Sequence, residues 1–336
     1  MEKQQTLASL AWTRKGKLTR RERFLAEMDA VVPWADLLAL IEPHYPKAGN
    51  GRQPLGLETM LRTYFVQQWF NLSDPQAEDA LYDSESTRRF VGIELGEDTV
   101  PDESTILRFR HLLEEHELTA KIFATINDLL TAKRLLLKSG TIVDATIIAA
   151  PSSTKNASKA RDPEMQQTRK GNNWHFGMKV HIGTDRRGIV HRLTVTGAAC
   201  ADITQLPELV HGTERELFGD QAYWKEADRQ AYEARGIRYR VNRRPAGRHH
   251  PLSDRWRHIN QIRSRTRARC EHPFHVVKRL WGFAKVRYRG LKKNRARAYA
   301  MFALANLYTM RRQLLPQKGE LCLLTEPDRI GPSSPA

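Results

Sequence analysis

Cysteine is scarce in this chain: Cys200, Cys270 and Cys322 are the three present among 336 residues. An odd, widely spaced set excludes a disulfide framework and suits a reducing compartment. Long apolar runs are also missing. The longest uncharged apolar segment, Ala298 to Met310, falls well short of the roughly 20 residues a membrane-spanning helix needs. The opening residues, Met-Glu-Lys-Gln-Gln, carry no secretory pattern, so the expectation is a soluble cytoplasmic protein. No P-loop and no glycine-rich dinucleotide fingerprint occurs, so no nucleotide cofactor is expected to supply energy.

Negative charge is what one region lacks most. Residues 235 to 297 hold 21 Lys and Arg against two acids, Asp254 and Glu271, a local charge of +19. The remainder has 34 basic and 36 acidic residues, so the net +17 comes from this one segment. Concentrated positive charge selects a phosphate backbone. Trp256, Phe274, Trp281, Phe283 and Tyr288 in the same segment argue that it is folded and is not a basic tail.

The length suggests two domains, because a single core rarely grows beyond about 250 to 300 residues. Residues 1–30, ending in Lys17-Leu-Thr-Arg-Arg-Glu-Arg23, read as a basic flexible arm. Residues 31–137 read as helical. Leu57, Met60, Leu61, Tyr64, Phe65 and Trp69 form a stripe at helical spacing, and Ser73-Asp74-Pro75 is a capping side chain followed by a first-turn proline. Pro101-Asp102-Glu-Ser-Thr105 opens a further helix with Ile106, Phe109 and Leu113 inward. That leaves Arg108 and His111 outward, where a helix-turn-helix would present them to DNA, although a plain packing or dimerisation module accounts for the same pattern.

From Lys138 the period shortens. Ile142, Val143, Ile147 and Ile148 bracket Asp144 in a strand, and Pro151 to Asn173 reads as a loop. Trp174 to Thr184 alternates Trp174, Phe176, Met178, Val180 and Ile182 against His175, Lys179 and His181. Strands at 188–197, 214–219 and 237–241 follow, with helices between the last three. The order β-β-β-α-β-α-β is an α/β fold with a mixed sheet spanning 138–314 and a disordered tail over 315–336. In that order the first strand is central and the fourth lies beside it. Asp202 with Gln205 reads as a capping box, a structural role.

Three acids remain for chemistry: Asp144 in the first strand, Asp220 at the end of the fourth, and Glu271 alone among arginines. Hard divalent ions such as magnesium or manganese prefer oxygen ligands, and two ions held by such a triad can activate a water or a 3'-hydroxyl against a phosphodiester. Arg267 stands one helical turn before Glu271 and Lys278 two turns after it, with Pro273 between them as a potential break. Lys179, Arg287 and Arg289 are further candidates for phosphate contact. Zinc held by Cys270, His272 and His275 with His249 and His250 lacks paired ligand spacing. Glycoside hydrolysis by two carboxylates does not suit the basic surface.

The chain resembles transposases of bacterial insertion sequences, with a ribonuclease-H-like DDE core, and most resembles the fifth insertion-sequence family. The resemblance covers about residues 30 to 312. It is carried by Pro33-Trp34-Ala35, Gln67-Gln-Trp-Phe-Asn-Leu-Ser73, Pro101-Asp102-Glu-Ser-Thr105, Thr141-Ile-Val-Asp144-Ala-Thr-Ile-Ile-Ala-Ala-Pro-Ser-Ser and Glu271-His-Pro-Phe. It implies Asp144, Asp220 and Glu271 as a triad binding two Mg2+ or Mn2+ ions. It also implies cleavage at terminal inverted repeats, strand transfer into double-stranded target DNA, a homodimer in the active complex and a place at the bacterial nucleoid. A signature of Tyr, Arg, Glu and Lys matches at Arg267, Glu271 and Lys278, with Ser264 at the tyrosine position. Gly219-Asp220-Gln-Ala-Tyr223 departs from the usual glycine-tyrosine ending, so the alternative is a decayed DNA-binding protein of transposase ancestry.

Overall fold

β-branched residues after Lys138 do build a sheet. The computed structural model describes residues 16–50, 53–157, 159–245, 247 and 250–315. Strand β1 (Gly140–Ala149) is central. Strand β3 (Asn173–Thr184) pairs with it antiparallel from Ile142↔Thr184 to Ala149↔Gly177, and β5 (Glu216–Phe218) pairs with its other edge in parallel from Gly140↔Glu216 to Ile142↔Phe218. Strand β4 (Val190–Gly197) lies antiparallel to β3, and β6 (Arg238–Tyr239) parallel to β5. The central first strand and its parallel neighbour stand where the strand order put them.

One strand carries no signal in the sequence. Strand β2 (Gln166–Lys170) forms a hairpin with the start of β3, inside what the sequence presents as the loop 151–173. Gln-Gln-Thr-Arg-Lys has no apolar residue to alternate, so the pairing rests on backbone hydrogen bonds that leave no periodic pattern.

The β3–β4 turn is organised by a buried acid. Asp185 accepts backbone N–H bonds from Leu137, Arg187 and Ile189 at 2.8–2.9 Å, so its charge is spent on structure. Gly188 in this turn has φ +83°, and a β-carbon there would sit 2.8 Å from the Arg269 carbonyl oxygen. That carbonyl lies four residues before Pro273, which has no N–H to bond it. The run from Asp254 is accordingly broken. It passes from an α-helix (Asp254–Arg267) through a 3-10 turn (Ala268–Cys270) and a short α-helix (Glu271–His275) into a π turn (Val276–Leu280). The chain then adds backbone pairing to β1 beyond the reach of β5, Ala149 N–H to Ala284 O at 3.0 Å and Val286 N–H to Ala149 O at 2.8 Å.

The described residues divide into two compact units, 33–309 and 16–32 with 310–315. The sheet and the helices between Trp34 and Ala132 fall in the first unit together. Its helix Leu57–Trp69 is buried on nearly every side, including Thr63, Gln67 and Gln68, and is no narrow stripe. Asp102 caps the helix Glu103–Glu115 through Thr105 N–H, with Ile106, Phe109 and Leu113 buried as expected; Arg110 is buried with them. Asn306 receives Val190 N–H at 2.9 Å and donates to Val190 O and Asn127 Oδ1, which ties two helices to the edge of β4.

In the second unit, part of the expected arm is a helix, Arg20–Val31. Thr19 and Glu22 form a reciprocal capping box, and Leu25, Met28 and Val31 are buried at three-residue spacing. Residues 1–15 of the arm and 316–336 of the expected tail lie outside the described residues.

Candidate active site and nucleic-acid interface

Asp144 lies on one face of β1 with Ile142, Thr146 and Ile148, by strand alternation. The parallel pairing of β1 with β5 ends at Ile142↔Phe218, and Asp220 follows two residues beyond it, near enough for its charge to act on Asp144. Asp220 is the N-cap of the 3-10 turn Gln221–Tyr223, and its Oδ1 accepts Ala222 N–H at 2.8 Å. Asp144 Oδ1 accepts Ala145 N–H at 2.8 Å. Its Oδ2 receives Arg267 Nη1 at 3.1 Å and the Cys270 thiol at 3.2 Å. Burial pushes the Asp144 carboxyl above the ordinary carboxylate range and the charge of Asp220 pushes the same way, against the Ala145, Arg267 and Cys270 contacts.

Glu271 is exposed at the start of its short helix, with Oε1 3.8 Å from Arg267 Nη2. Arg267 therefore bridges two of the three acids. Among the described residues no three His, Cys, Asp or Glu side chains converge closely enough to share one ion. The Arg267 guanidinium lies between the Asp144 and Glu271 carboxylates, whose oxygens are hard donors of the kind divalent ions prefer.

Lys278 reaches the same face two residues along β1, donating to Thr146 Oγ1 at 3.1 Å and Ile147 O at 2.9 Å. Burial lowers its pKa, and Lys170 and Arg279 lower it further. The π turn carries Lys278 to this contact, so straight-helix spacing from Glu271 does not describe it. Cys270 and Thr146 join the site without having been marked by the sequence pattern. Thr146 was findable as the next same-face residue after Asp144, whereas nothing in the spacing marks a thiol that faces a carboxylate.

Lys179 goes elsewhere. Asp144 pairs with Ile182, so Lys179 and His181 project from the opposite face of the sheet. The Lys179 ammonium is held by Asp202 Oδ1 at 2.9 Å and Cys200 O at 2.8 Å, which takes it away from the acids and from free phosphate contact. Asp202 does not cap a helix: Ala201 precedes the 3-10 turn Asp202–Gln205, and no side-chain cap forms. Buried Tyr223, whose hydroxyl has no partner among the described residues, packs in the core with Val143 and Leu217.

Residues 136–307 match the family model described as a transposase DDE domain. The chain belongs to the DDE transposases. Residues 13–112 match a second model, a transposase domain (DUF772). In this transposase Arg108 and His111 are exposed on the helix Glu103–Glu115, within that second region.

The basic segment of the transposase is less of a free surface than its charge count suggests. Arg287 donates to Asn71 O at 2.7 Å, Asn71 Oδ1 at 2.9 Å and Leu72 O, which makes it an internal tether to the helical region. Arg297 is 3% exposed and shares Asn71 Oδ1 at 2.8 Å, and Arg263 donates to Val241 O at 2.7 Å. Arg265, Arg269, Arg279, Lys285, Arg289 and Lys292 remain exposed. No helix of the described residues is long and apolar enough to cross a membrane.

Proposed function

We propose that this transposase cuts DNA at the terminal inverted repeats of an insertion sequence and joins the freed 3'-hydroxyl to target DNA, using Asp144, Asp220 and Glu271. The observation that carries the reading is that the Asp220 charge acts on Asp144 just beyond the parallel pairing of β1 with β5, with Glu271 linked to Asp144 through Arg267. The strand order, with β4, β3, β1, β5 and β6 side by side and β3 antiparallel to β1, supports a ribonuclease-H-like core. We place the chain with the fifth insertion-sequence family on the motifs that carry its resemblance.

The three carboxylates would hold two Mg2+ or Mn2+ ions once Arg267 yields Asp144 Oδ2. The ions would supply a polarised phosphodiester and an attacking water or hydroxyl of lowered pKa. Arg267 keeps Asp144 oriented in the meantime and partly opposes the burial and the Asp220 charge that favour its proton. Lys278, fixed on Thr146 two residues beyond Asp144, sets a positive charge where the phosphate backbone passes the acids. Arg108, His111 and Arg289, all exposed, are the proposed contacts to the rest of the duplex, and the active complex is a homodimer. The test is strand cleavage of a duplex carrying the element ends, with and without magnesium. Cleavage at the repeat boundary only with metal is expected. Binding without cleavage under every divalent ion would instead support the decayed reading.

A further inference from the structure

The hairpin of β2 and β3 overhangs the sheet. Ala149, the last residue of β1, pairs with Gly177, so the three residues from Trp174 to Phe176 extend past it by about 10 Å. Trp174 is 64% exposed, more than any other large apolar side chain among the described residues. Of the even-numbered residues that follow it on the strand, Phe176 is half-buried and Met178, Val180 and Ile182 are buried. A tryptophan left in water at the end of a buried stripe is a surface awaiting a partner.

The chemistry around Trp174 says which partner. Residues 166 to 176 contain Arg169 and Lys170 and no acid. Arg169 pairs directly across the hairpin from Trp174 and so shares its face. The guanidinium is steadied at the tip by Gly171 O at 3.1 Å and Asn172 Oδ1 at 3.4 Å, with Gly171 taking the φ of +61° that the tight turn needs. Trp174 also shares a strand face with Ile182, the partner of Asp144. Eight residues separate Trp174 from Ile182, a span of about 26 Å, or about eight base pairs of B-form DNA. Lys278 stands beside the acids and Lys170 in the hairpin, so a cation marks each end of this span.

We propose that this hairpin is a DNA-binding ribbon that enters the major groove of the duplex held at Asp144, with Arg169 and Lys170 on phosphates and the Trp174 ring against base edges. A two-stranded ribbon has the width the major groove admits. The proposal rests on the DNA-cutting reading above but adds a contact about 26 Å from the acids.

The test uses a fluorescein-labelled, random-sequence duplex of about 40 base pairs and the full chain, read by anisotropy over a salt series. Trp174→Ala should weaken binding about tenfold, as loss of an aromatic anchor does, while Trp174→Phe stays within about twofold. Arg169→Ala with Lys170→Ala should make the slope of log affinity against log salt shallower by about 1.8, two phosphates' worth. Melting temperatures should not change, since these side chains are exposed. If the unaltered chain fails to bind, the DNA reading itself falls. If it binds and Trp174→Ala binds equally well with an unchanged slope, the ribbon is refuted and the cutting site stands. A Trp174→Ala variant that keeps its DNA affinity but loses a dimer in sedimentation would make the hairpin a protein contact and also refute the proposal.

Discussion

Replacing Asn71 tests whether the basic segment is built into the fold. Asn71 ends the helix Leu57–Trp69 at φ +53°, a left-handed conformation that asparagine tolerates better than alanine. Its Oδ1 accepts from two guanidinium groups, Arg287 at 2.9 Å and Arg297 at 2.8 Å. Burial pushes the Arg297 pKa down to about 10, with the charges of Arg287 and Arg110 acting the same way and Tyr288 opposing them. Asn71→Ala removes two charge-assisted acceptor bonds of about 1.5–3 kcal/mol each and adds about 1 kcal/mol of backbone strain. Water reaching half-buried Arg287 recovers part of this, so the net loss should be about 3–5 kcal/mol, a large share of the about 5–15 kcal/mol that holds a domain folded. Asn71→Gly removes the strain and keeps the bond loss, so it should fall between the two. Asn71→Asp keeps an acceptor between two guanidinium groups but gives up the Nδ2–H donated to Gly282 O at 3.4 Å, so it should be more stable than Asn71→Ala. Urea unfolding at pH 7, with DNA affinity measured on the same preparations, reads the series. A loss below about 1 kcal/mol for alanine, or an aspartate less stable than the alanine, would refute the tether.

The other outcomes follow from the same contacts. Arg287→Ala should lower the melting temperature and leave the salt dependence of DNA binding nearly unchanged, whereas Lys278→Ala should cut the cleavage rate at least about tenfold while DNA affinity falls much less. Activity should need magnesium or manganese and be poorly supported by calcium, whose looser coordination tolerates misplaced in-line geometry; full cleavage in chelator would contradict this. His181 is fully buried, and burial chiefly lowers its pKa, to about 4. Below pH 6.5 the unfolded chain therefore binds a proton that the folded chain refuses. Stability present above pH 6.5 should be lost as pH falls toward 4, at up to about 1.4 kcal/mol per pH unit from this residue. His181→Gln should flatten that limb in a pH series of urea midpoints.

Much of the sheet was legible because apolar alternation and β-branching write strands directly. Ile142, Val143, Ile147 and Ile148 marked β1, and the order of strands put β5 beside it. Other features depend on information that no local pattern holds. Lys179 looked available for phosphate, yet the pairing of Asp144 with Ile182 decides which face it joins, and a register shift of one residue would reverse the answer. The arginines of residues 235 to 297 count as charge wherever they point, and only folding shows that Arg263, Arg287 and Arg297 turn inward to carbonyl groups. The helix Arg20–Val31 had its signals, Thr19 with Glu22 and the spacing of Leu25, Met28 and Val31, but they lie in a run dominated by charge. Pro273 marked a break without saying that the chain would recover through a π turn and deliver Lys278 to Thr146.

The central claim is that Asp144, Asp220 and Glu271 act together on the phosphodiester. The most direct measurement compares cleavage rate and DNA affinity for Asp144→Asn, Asp220→Asn and Glu271→Gln on one duplex carrying the element ends, in magnesium. Each variant should lose cleavage while binding DNA within a few fold of the parent, because each removes metal-binding charge and no phosphate contact. Substantial cutting by all three would contradict the account.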